Sequence, residues 1–421
     1  MRISVFGLGH LGLPLAALFA DAGHVVLGVD LDPTHVAALR LGNVGWHEAD
    51  LTALCRSVAA NMHFTVDAAE AAASDVSVIA VPSPADASGG YDPAYVLAAA
   101  KEIGRALRGH NRPHVVAVLS TVMPGTCAGP VRAALEESSG RQVGNGLGIC
   151  YCPAFGAIGS LLHDYRNPDF LLIGESGASA GAVVAELLTG IVQNQPAMLH
   201  HSLLNAELAK ITLNNYIITK ISFANMVGAL CSSIENADAA QVLDVLGHDR
   251  RIAPKYLRAA MPYGGPCFAR DTGALEALAM RLGLAVPLPT AAARMNTAQQ
   301  EALTAQLAAA TPACGVIAIV GLAFRAKTDV LTASPAVAIA SQLAEAGFEI
   351  RSWDPLARPD LPGIIRAPSL AACVAGADTV LIANDDPICA ALPDVTRRDG
   401  TKLVVFDPWR TLSADSPFEI R

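Results

Sequence analysis

One short stretch of this sequence combines a cysteine with two preceding glycines and a following Arg-Asp pair. Residues 263–271 read Tyr-Gly-Gly-Pro-Cys-Phe-Ala-Arg-Asp. Glycines let backbone and ligand approach closely, and a thiol near cationic neighbours can be held as the nucleophilic thiolate. The same pattern also fits a tight turn followed by a buried, inert cysteine, since free cysteines are usually buried. The stretch alone leaves both interpretations of Cys267 open.

A second set of polar residues lies on a predicted long helix, from Ala206 to Glu235. Lys210 and Asn214 are four residues apart and therefore share one helix face. They lie among Ile, Leu and Ala, so they fit either a buried polar pair that faces a site or a solvated polar stripe. The helix is longer than an ordinary one, which favours a spine between domains and a subunit contact.

The N-terminus carries a glycine pattern in the context that dinucleotide binding requires. An apolar strand at residues 2–6 leads into Gly7-Leu8-Gly9-His10-Leu11-Gly12, and an Ala/Leu-rich helix follows. A second strand at residues 25–29 ends at Asp30. The glycines permit a tight turn and let backbone N–H groups meet a pyrophosphate. Asp30 can accept the adenosine ribose hydroxyls and would repel a 2′-phosphate, so the pattern favours NAD over NADP. The other interpretation is a glycine turn that caps the helix beside a surface aspartate.

Two series of strands alternate with helical stretches, which indicates parallel sheets. The first series continues with strands at residues 76–81, 115–119 and 147–151. The second has strands at 316–321, 348–355, 379–383 and 403–407, and it lacks a G-x-G-x-x-G. Loops at the carboxyl ends of such strands line the ligand crevice. Thr121 is therefore a candidate to hold a water or hydroxyl, or else a turn residue before Pro-Gly.

The predicted fold class is α/β, with two Rossmann-like doubly wound parallel-sheet domains joined by a long central helix. The predicted domains are an NAD-binding domain at residues 1–199 and a central helical domain at 200–300 with the cysteine loop. The third, at 301–421, is a Rossmann-like domain that we expect to bind a nucleotide-bearing substrate. The loop Gly321 to Arg325 could face a second nucleotide, which with NAD gives two nucleotide-sized crevices around one cysteine loop.

Composition excludes several classes of function. The net charge of −9 and the absence of a basic stripe argue against nucleic-acid binding. No 18-residue stretch is wholly apolar, so we predict no transmembrane helix. The nine cysteines are scattered without zinc-like spacing, which predicts no metal site and reduced thiols in a cytoplasmic protein.

Taken together, these motifs resemble the UDP-glucose/GDP-mannose dehydrogenase family over nearly the whole chain. The matching segments are 6–14, 120–126, 207–225, 264–267 with Asp271, 321–325 and 334–335. The resemblance implies two successive NAD-dependent oxidations of the C6 alcohol of a nucleotide sugar to a carboxylate, and the expected substrate is a UDP-linked sugar. The length of the central helix, rather than the resemblance, predicts a homodimer formed through that helix.

The resemblance assigns a role to each matched residue. Cys267 would attack the aldehyde to give a thiohemiacetal and then a thioester, which water cleaves. Lys210 would stabilise developing oxyanions, Asn214 and Asp271 would support the hydroxyl and a water, and Thr121 would also hold water. The implied cofactor contacts are Gly7, Gly9, Leu11, Gly12, Asp30, Pro82, Ser120 and Thr121. The implied substrate contacts are Phe155, Lys210, Asn214, Tyr263, Gly264, Gly265, Phe324 and Arg325.

The departures from the family pattern fall around the substrate and the hydrolytic water. The glutamate linked to thioester hydrolysis is Ala154, and a second glutamate four residues on is Ile158. A basic residue after Pro-Asp is Phe170, and the lysine before Asp271 is Arg270, which keeps the charge and changes its geometry. An arginine is also lost in the segment 329–334.

Three hypotheses follow. The first is a nucleotide-sugar 6-dehydrogenase in which Asp271 or Thr121 replaces the missing base. The second is a diverged NAD-dependent oxidase of another alcohol in specialised metabolism, which stops at the aldehyde or releases the acid slowly. The third is a catalytically inactive binding subunit, which the survival of Cys267, Lys210, Asn214 and Asp271 disfavours.

Overall fold

The protein is described by a computed structural model that covers residues 1–397, 400–413 and 415–421. The chain divides into two compact units. One consists of Met1–Leu213 with Gly273–Leu284, and the other of Asn214–Thr272 with Ala285–Arg421. Each unit contains one β-sheet, and the long helix lies between the two sheets in sequence. The α/β fold with two Rossmann-like sheets and a long central helix is confirmed.

The first sheet has eight strands in the order β3-β2-β1-β4-β5-β6-β7-β8. They are β1 Arg2–Phe6, β2 Val25–Val29, β3 Met62–Thr65, β4 Val76–Ile79, β5 His114–Val118, β6 Leu147–Tyr151, β7 Phe170–Glu175 and β8 Ala197–Ser202. Neighbouring strands pair in parallel except β6 and β7, which are antiparallel. The first six strands follow the order of a dinucleotide-binding fold.

Helices cover both faces of this sheet. They are α1 Gly12–Asp21, α2 Pro33–Arg40, α3 Leu51–Ser57, α4 Ala94–Leu107, α5 Arg132–Ser139, α6 Leu161–Arg166 and α7 Ala178–Thr189. Side chains of β5 alternate between two apolar clusters, with Val115 and Ala117 in one and Val116 and Val118 in the other. This two-sided burial explains why β5 reads as a continuous apolar run rather than an alternating one.

Four helices follow in sequence, and they are α8 Leu203–Ser232, α9 Ala239–His248, α10 Phe268–Arg281 and α11 Pro287–Ala310. Helix α8 has 30 residues and begins and ends three residues before the predicted bounds. A turn with Asn236 in the left-handed region follows it. Helix α10 begins at Phe268, so the last four residues of the stretch 263–271 lie in its first turn rather than in a loop.

The second sheet has six parallel strands in the order β11-β10-β9-β12-β13-β14. They are β9 Val316–Val320, β10 Glu349–Trp353, β11 Ile364–Arg366, β12 Thr379–Ile382, β13 Val404–Phe406 and β14 Glu419–Ile420. The accompanying helices are α12 Pro335–Glu345, α13 Leu370–Val374 and α14 Pro387–Ala390. Its order is therefore the same as that of the first six strands of the first sheet.

No helix in the described part of the chain has both the length and the apolar character needed to cross a membrane.

Candidate active site

The loop between β1 and α1 has the tight geometry that its glycines predict. Gly7 has a φ of +90°, and a Cβ built at Gly12 would lie 1.9 Å from the Gly7 carbonyl oxygen. A Cβ at Gly9 would meet no protein atom within 4 Å. Gly7 and Gly12 are therefore the positions where the turn itself requires glycine. The space beside Gly9, at the start of α1, fits the close approach of a pyrophosphate.

Asp30 lies directly after β2 and faces this glycine loop. Its Oδ2 accepts a hydrogen bond from the Leu8 backbone N–H at 2.8 Å, and its Oδ1 accepts one from the Asp32 N–H at 3.1 Å. A carboxylate has about four acceptor positions, and the side chain is partly exposed. Asp30 therefore retains acceptor capacity for ribose hydroxyls, and the residues of this loop fit NAD.

An aromatic cluster beside the glycine loop was missed by the sequence analysis. The Trp46 ring lies 4.9 Å from the His10 ring and 5.8 Å from the His35 ring, centroid to centroid. The His35 Nε2 is 3.1 Å from the Leu8 carbonyl oxygen. Trp46 belongs to a segment without a helix or strand, so no periodic pattern indicated that it packs against the loop.

The loops after β4 and β5 contain the remaining predicted cofactor contacts. The Ser120 hydroxyl donates to the Val81 carbonyl at 2.7 Å and so joins the two loops. Pro82 is exposed and Thr121 is partly exposed. Both side chains are therefore accessible at the carboxyl edge of the sheet, where the fold class places ligands.

Lys210 lies on α8 and is buried. Its Nζ donates to the Ala154 carbonyl oxygen at 2.7 Å and lies 4.9 Å from the centroid of the Phe155 ring. The Phe155 ring in turn packs against Phe170, with 4.9 Å between centroids. The ammonium is held by a backbone carbonyl, so its position does not depend on a glutamate side chain at residue 154. The family's charged residues at 154 and 170 are replaced by an apolar wall at this point.

Cys267 immediately precedes α10, and its side chain is exposed. Its carbonyl oxygen accepts the first helical hydrogen bond, from the Asp271 N–H at 2.9 Å. An Arg270 guanidinium nitrogen lies 3.9 Å from the Cys267 Sγ, and the Arg270 Nε donates to the Pro266 carbonyl at 2.7 Å. The Cys267 thiol is thus accessible at the start of a helix and lies beside a cation whose position is fixed by a backbone carbonyl.

Asn214 and Asp271, which the resemblance pairs, are hydrogen bonded. The Asn214 Nδ2 donates to the Asp271 Oδ2. The neighbouring Asn215, which sequence reasoning missed, donates from its Nδ2 to the Asp271 carbonyl oxygen at 3.0 Å. The Asp271 side chain is 1 % exposed and lies in the first turn of α10 rather than in a loop. An acidic residue in a first helical turn is stabilised by the free N–H groups there.

The two glycines before the cysteine pack against the loop that follows β9. A Cβ at Gly265 would lie 2.6 Å from the Phe324 ring, and one at Gly264 would lie 2.4 Å from the Ala333 carbonyl oxygen. The Gly265 N–H also donates to that carbonyl at 3.2 Å. Phe324 and the glycines therefore form one packed structure, in which larger residues would displace the cysteine loop.

Tyr263 and Arg325 complete the predicted substrate contacts. The Tyr263 backbone makes two hydrogen bonds with the Asn296 side chain, at 2.7 and 3.0 Å. Its ring packs edge-on against Phe268 at 5.6 Å, and burial raises the pKa of Tyr263 to about 12. Arg325 is partly exposed beside Phe324.

Asp354, which lies directly after β10, is a further residue that sequence reasoning missed. Its Oδ2 accepts from the N–H groups of Leu322 and Ala323 at 2.7 and 2.9 Å. Its Oδ1 accepts from those of Leu356 and Ala357, both at 2.8 Å. The carboxylate therefore fixes the start of the loop that carries Phe324 and Arg325.

These features define an NAD-dependent dehydrogenase with a second sheet of the dinucleotide-binding type. The glycine loop, Asp30 and the strand order describe the cofactor site. Within the described residues, no group of three or more His, Cys, Asp or Glu side chains is arranged to hold a metal ion.

Comparison with known proteins identifies the family. Residues 1–192 match the NAD binding domain of the UDP-glucose/GDP-mannose dehydrogenase family, residues 204–298 its central domain, and residues 318–414 its UDP binding domain. The chain belongs to this family. It is accordingly an NAD-dependent nucleotide-sugar 6-dehydrogenase, as the resemblance predicted.

Individual relatives agree with this assignment. The chain is 33% identical over 402 residues to UDP-glucose 6-dehydrogenase AglM of Haloferax volcanii, covering 94% of this chain and 93% of that protein. It is 33% identical over 359 residues to GDP-mannose 6-dehydrogenase of Pseudomonas putida, covering 84% and 81%. A UDP-glucose dehydrogenase structure from Pyrobaculum islandicum has a TM-score of 0.89 at 30% identity, covering 100% of this chain and 96% of that one.

Proposed function

We propose that the protein oxidises the C6 alcohol of a UDP-linked sugar to the carboxylate through a covalent intermediate on Cys267. The glycine loop and Asp30 would hold NAD, which would supply the hydride acceptor that both oxidations require. The alcohol is first oxidised to the aldehyde, and the Cys267 sulfur then adds to the aldehyde carbon to form a thiohemiacetal. The second oxidation gives a thioester, and water cleaves it to the acid and the free thiol. One sugar and one water thus reduce two NAD.

The observation that carries this proposal is the setting of Cys267. Its thiol is exposed at the start of a 14-residue helix, 3.9 Å from the Arg270 guanidinium. An inert structural cysteine is buried instead, as Cys150 and Cys152 are. Burial raises the pKa of both of those thiols. The setting of Cys267 is that of a nucleophile.

The other predicted catalytic residues have compatible settings. A buried ammonium such as Lys210 can stabilise an alkoxide or thiohemiacetal oxyanion, and removing one such donor typically costs about 10²–10³-fold in rate. The Asn214–Asp271 pair can orient the sugar hydroxyl and a water. Thr121 is partly exposed and can hold a water for thioester hydrolysis.

The UDP linkage is proposed on two grounds. Residues 318–414 match a domain described as UDP binding, and the loop with Phe324 and Arg325 offers an aromatic ring and a guanidinium for a base and a phosphate. The curated relatives include both UDP-glucose and GDP-mannose enzymes. A thermal-shift screen of UDP- and GDP-linked sugars, with NAD present, tests which nucleotide base the protein binds. A ligand at 100 times its Kd raises the free energy of unfolding of the protein by about 2.7 kcal/mol.

A second candidate is a diverged NAD-dependent oxidation of another alcohol that stops at the aldehyde. Ala154 favours it, because the family glutamate linked to hydrolysis is absent and the residue is buried. One NADH per substrate, with aldehyde as product, would support this candidate against the first.

We further propose a homodimer formed through α8 in a cytoplasmic protein. Tyr216, Phe223 and Leu230 are spaced by seven residues and are 63%, 44% and 56% exposed. This spacing places them on one face of the helix, as in helix pairs that associate. All nine cysteines are free thiols, which agrees with a reducing compartment. Light scattering of wild type and of Phe223→Glu tests the dimer, and a monomeric wild type would reject it.

The nucleophile assignment is tested by replacing the two exposed cysteines separately. Cys267→Ser should reduce acid formation from UDP-glucose and NAD by at least about 10³-fold, because an alcohol is a far weaker nucleophile than a thiolate. Cys314→Ser is the matched control and should keep wild-type activity. Acid formation at the wild-type rate in Cys267→Ser would refute the covalent mechanism.

A further inference from the structure

Two buried glutamates in the first unit have the same hydrogen-bonding arrangement. Glu207 is 0% exposed and Glu48 is 5% exposed. Each carboxylate accepts the backbone N–H groups of two residues that are two positions apart at the end of a loop, and the second of these residues begins a helical segment. One loop follows β5 and the other follows β6, the strands that lead to Thr121 and to Ala154.

Glu207 holds the loop after β5. Its Oε2 accepts from the Gly125 N–H at 2.6 Å, and its Oε1 accepts from the Cys127 N–H at 2.7 Å. Glu207 also lies three residues before Lys210 on α8, so the two side chains occupy adjacent turns of one helix. The helix therefore fixes the Thr121 loop through Glu207 and the Ala154 carbonyl through Lys210.

Glu48 holds the other end of the loop after β6. Its Oε2 accepts from the Gly159 N–H and its Oε1 from the Leu161 N–H, both at 2.7 Å. The loop between Ala154 and Leu161 is thus attached to Lys210 at one end and to Glu48 at the other. Glu48 lies two residues after Trp46, which packs on His10 in the glycine loop.

The use of charged residues at these buried positions needs an explanation, because burying a carboxylate is costly. Burial raises the pKa of both Glu48 and Glu207, and the backbone N–H donors act against that rise. Neither carboxylate forms an ion pair within the part of the chain that the structure describes. An ionised carboxylate has two acceptor oxygens and no donor, so it can accept hydrogen bonds from two N–H groups at once. The arrangement is therefore suited to fixing loops.

We propose that Glu207 and Glu48 are positioning residues for the oxidation: they hold the loops that present Thr121 and the carbonyl partner of Lys210. Neither residue has a role in the chemistry that the family resemblance implies. The inference rests on the proposed function for its kinetic consequence, while its structural consequence, the ordering of the two loops, is independent of the substrate.

The test is Glu207→Gln. This substitution replaces one carboxylate oxygen by an NH₂ group, which cannot accept a hydrogen bond from the backbone N–H that it faces. With UDP-glucose as the probe substrate, kcat should fall at least tenfold while the Kd for NADH changes less than threefold. In the NADH-bound protein, hydrogen exchange of the 121–127 amides should accelerate at least tenfold, while the β5 amides stay as in wild type. Glu48→Gln should have the same effects on kcat and on the Kd for NADH, and it should accelerate hydrogen exchange of the amides of residues 157–161.

Glu136→Gln is the matched control. Glu136 also accepts a backbone N–H, from Val143 at 2.9 Å, but at a loop before β6 that carries no site residue, and both readouts should stay at wild-type values. The inference is overturned if Glu207→Gln leaves both kcat and loop exchange within twofold of wild type, or if the variant does not fold. If wild type oxidises no UDP-linked sugar, the proposed function fails, and hydrogen exchange alone decides the inference.

Discussion

The six strands of the second sheet have the same order as the first six strands of the first sheet, and in each sheet an aspartate directly follows the second strand of the series. Asp30 follows β2 and Asp354 follows β10. Both accept the N–H of the leucine after a left-handed glycine, at Gly7-Leu8 and at Gly321-Leu322. The φ angles of these glycines are +90° and +89°. The two turns are therefore built in the same way.

The two aspartates differ in the acceptor capacity that remains. Asp30 accepts two backbone N–H groups and is partly exposed. Asp354 accepts four and is 6% exposed. Since a carboxylate has about four acceptor positions, Asp354 has none left for a ribose. The carboxylate at this position thus retains acceptor capacity in the first sheet, whereas in the second sheet all of its acceptor positions are used to fix a loop.

The segments after the first strand differ accordingly. In the first sheet, residues 7–11 lead from β1 directly into α1, so the helix N-terminus lies at the turn. In the second, residues 321–334 separate β9 from α12 and pack against Gly264 and Gly265. One turn thus leads into a helix N-terminus, where we propose that the pyrophosphate of NAD binds, and the other supports the cysteine loop.

Asp354→Ala gives the largest expected effect within this comparison. Four backbone N–H groups lose a charged acceptor, which should lower the free energy of unfolding by about 4 kcal/mol. The Kd for NADH should stay within twofold of wild type. Calorimetry and NADH titration measure both quantities, and Asp360→Ala, an exposed aspartate, is the control. A variant as stable as wild type would show that Asp354 does not fix the loop.

The second prediction concerns acid stability, which should depend on the first sheet. His114 is 2% exposed, its Nε2 lies 2.9 Å from the Ser77 hydroxyl, and burial lowers its pKa to about 4. The unfolded chain, with a histidine pKa of 6.5, takes up a proton as the pH falls while the folded chain does not. The free energy of unfolding therefore decreases by about 3 kcal/mol as the pH falls from 6.5 to 4. Below pH 4 the titration of His114 lowers it no further.

Urea unfolding monitored by hydrogen exchange in β1, β4 and β5 measures this loss. Residues 249–421 contain no histidine, so no histidine in them contributes to acid sensitivity in this range. His114→Gln should flatten the pH dependence, whereas His110→Gln, at an exposed histidine, should not. An unchanged pH dependence in His114→Gln would contradict the assignment.

The smallest effect is expected for Asp30→Ala. Loss of the ribose contact should weaken NADH binding about tenfold, or about 1.4 kcal/mol, as titration calorimetry can determine. An unchanged Kd would mean that Asp30, like Asp354, serves the loop alone, and the contrast between the two sheets would disappear.

Local patterns predicted the parts of the fold and site that local chemistry determines. The glycine turn and Asp30 could be identified because the turn geometry depends on residues close in sequence. Glu48 and Glu207 could not, because their N–H donors lie 80 or more positions away in the chain. Asp354 could not either, because two of its four N–H donors, at Leu322 and Ala323, lie more than 30 positions away. These three carboxylates are buried only once the loops have folded around them.

Strands were predicted where burial on two faces produced apolar runs. The predictions missed β3, β7, β8, β11 and β14. Strand β8 is almost wholly exposed and β14 has two residues, so neither contains a clear apolar pattern. Local patterns singled out Cys267, Lys210 and Asn214 without deciding what they do. The resemblance assigned catalytic roles to these three residues and to Asp271, and those roles remain predictions.

The central claim, a covalent intermediate on Cys267 that is released slowly, can be tested by rapid-quench mass spectrometry. General-base catalysis is typically worth about 10²–10⁴-fold, so Ala154 should slow hydrolysis more than hydride transfer. With the UDP-linked sugar that stabilises the protein most, we predict a burst of NADH and an acyl adduct on Cys267. Steady formation of two NADH per sugar from the start, with no adduct, would contradict the account.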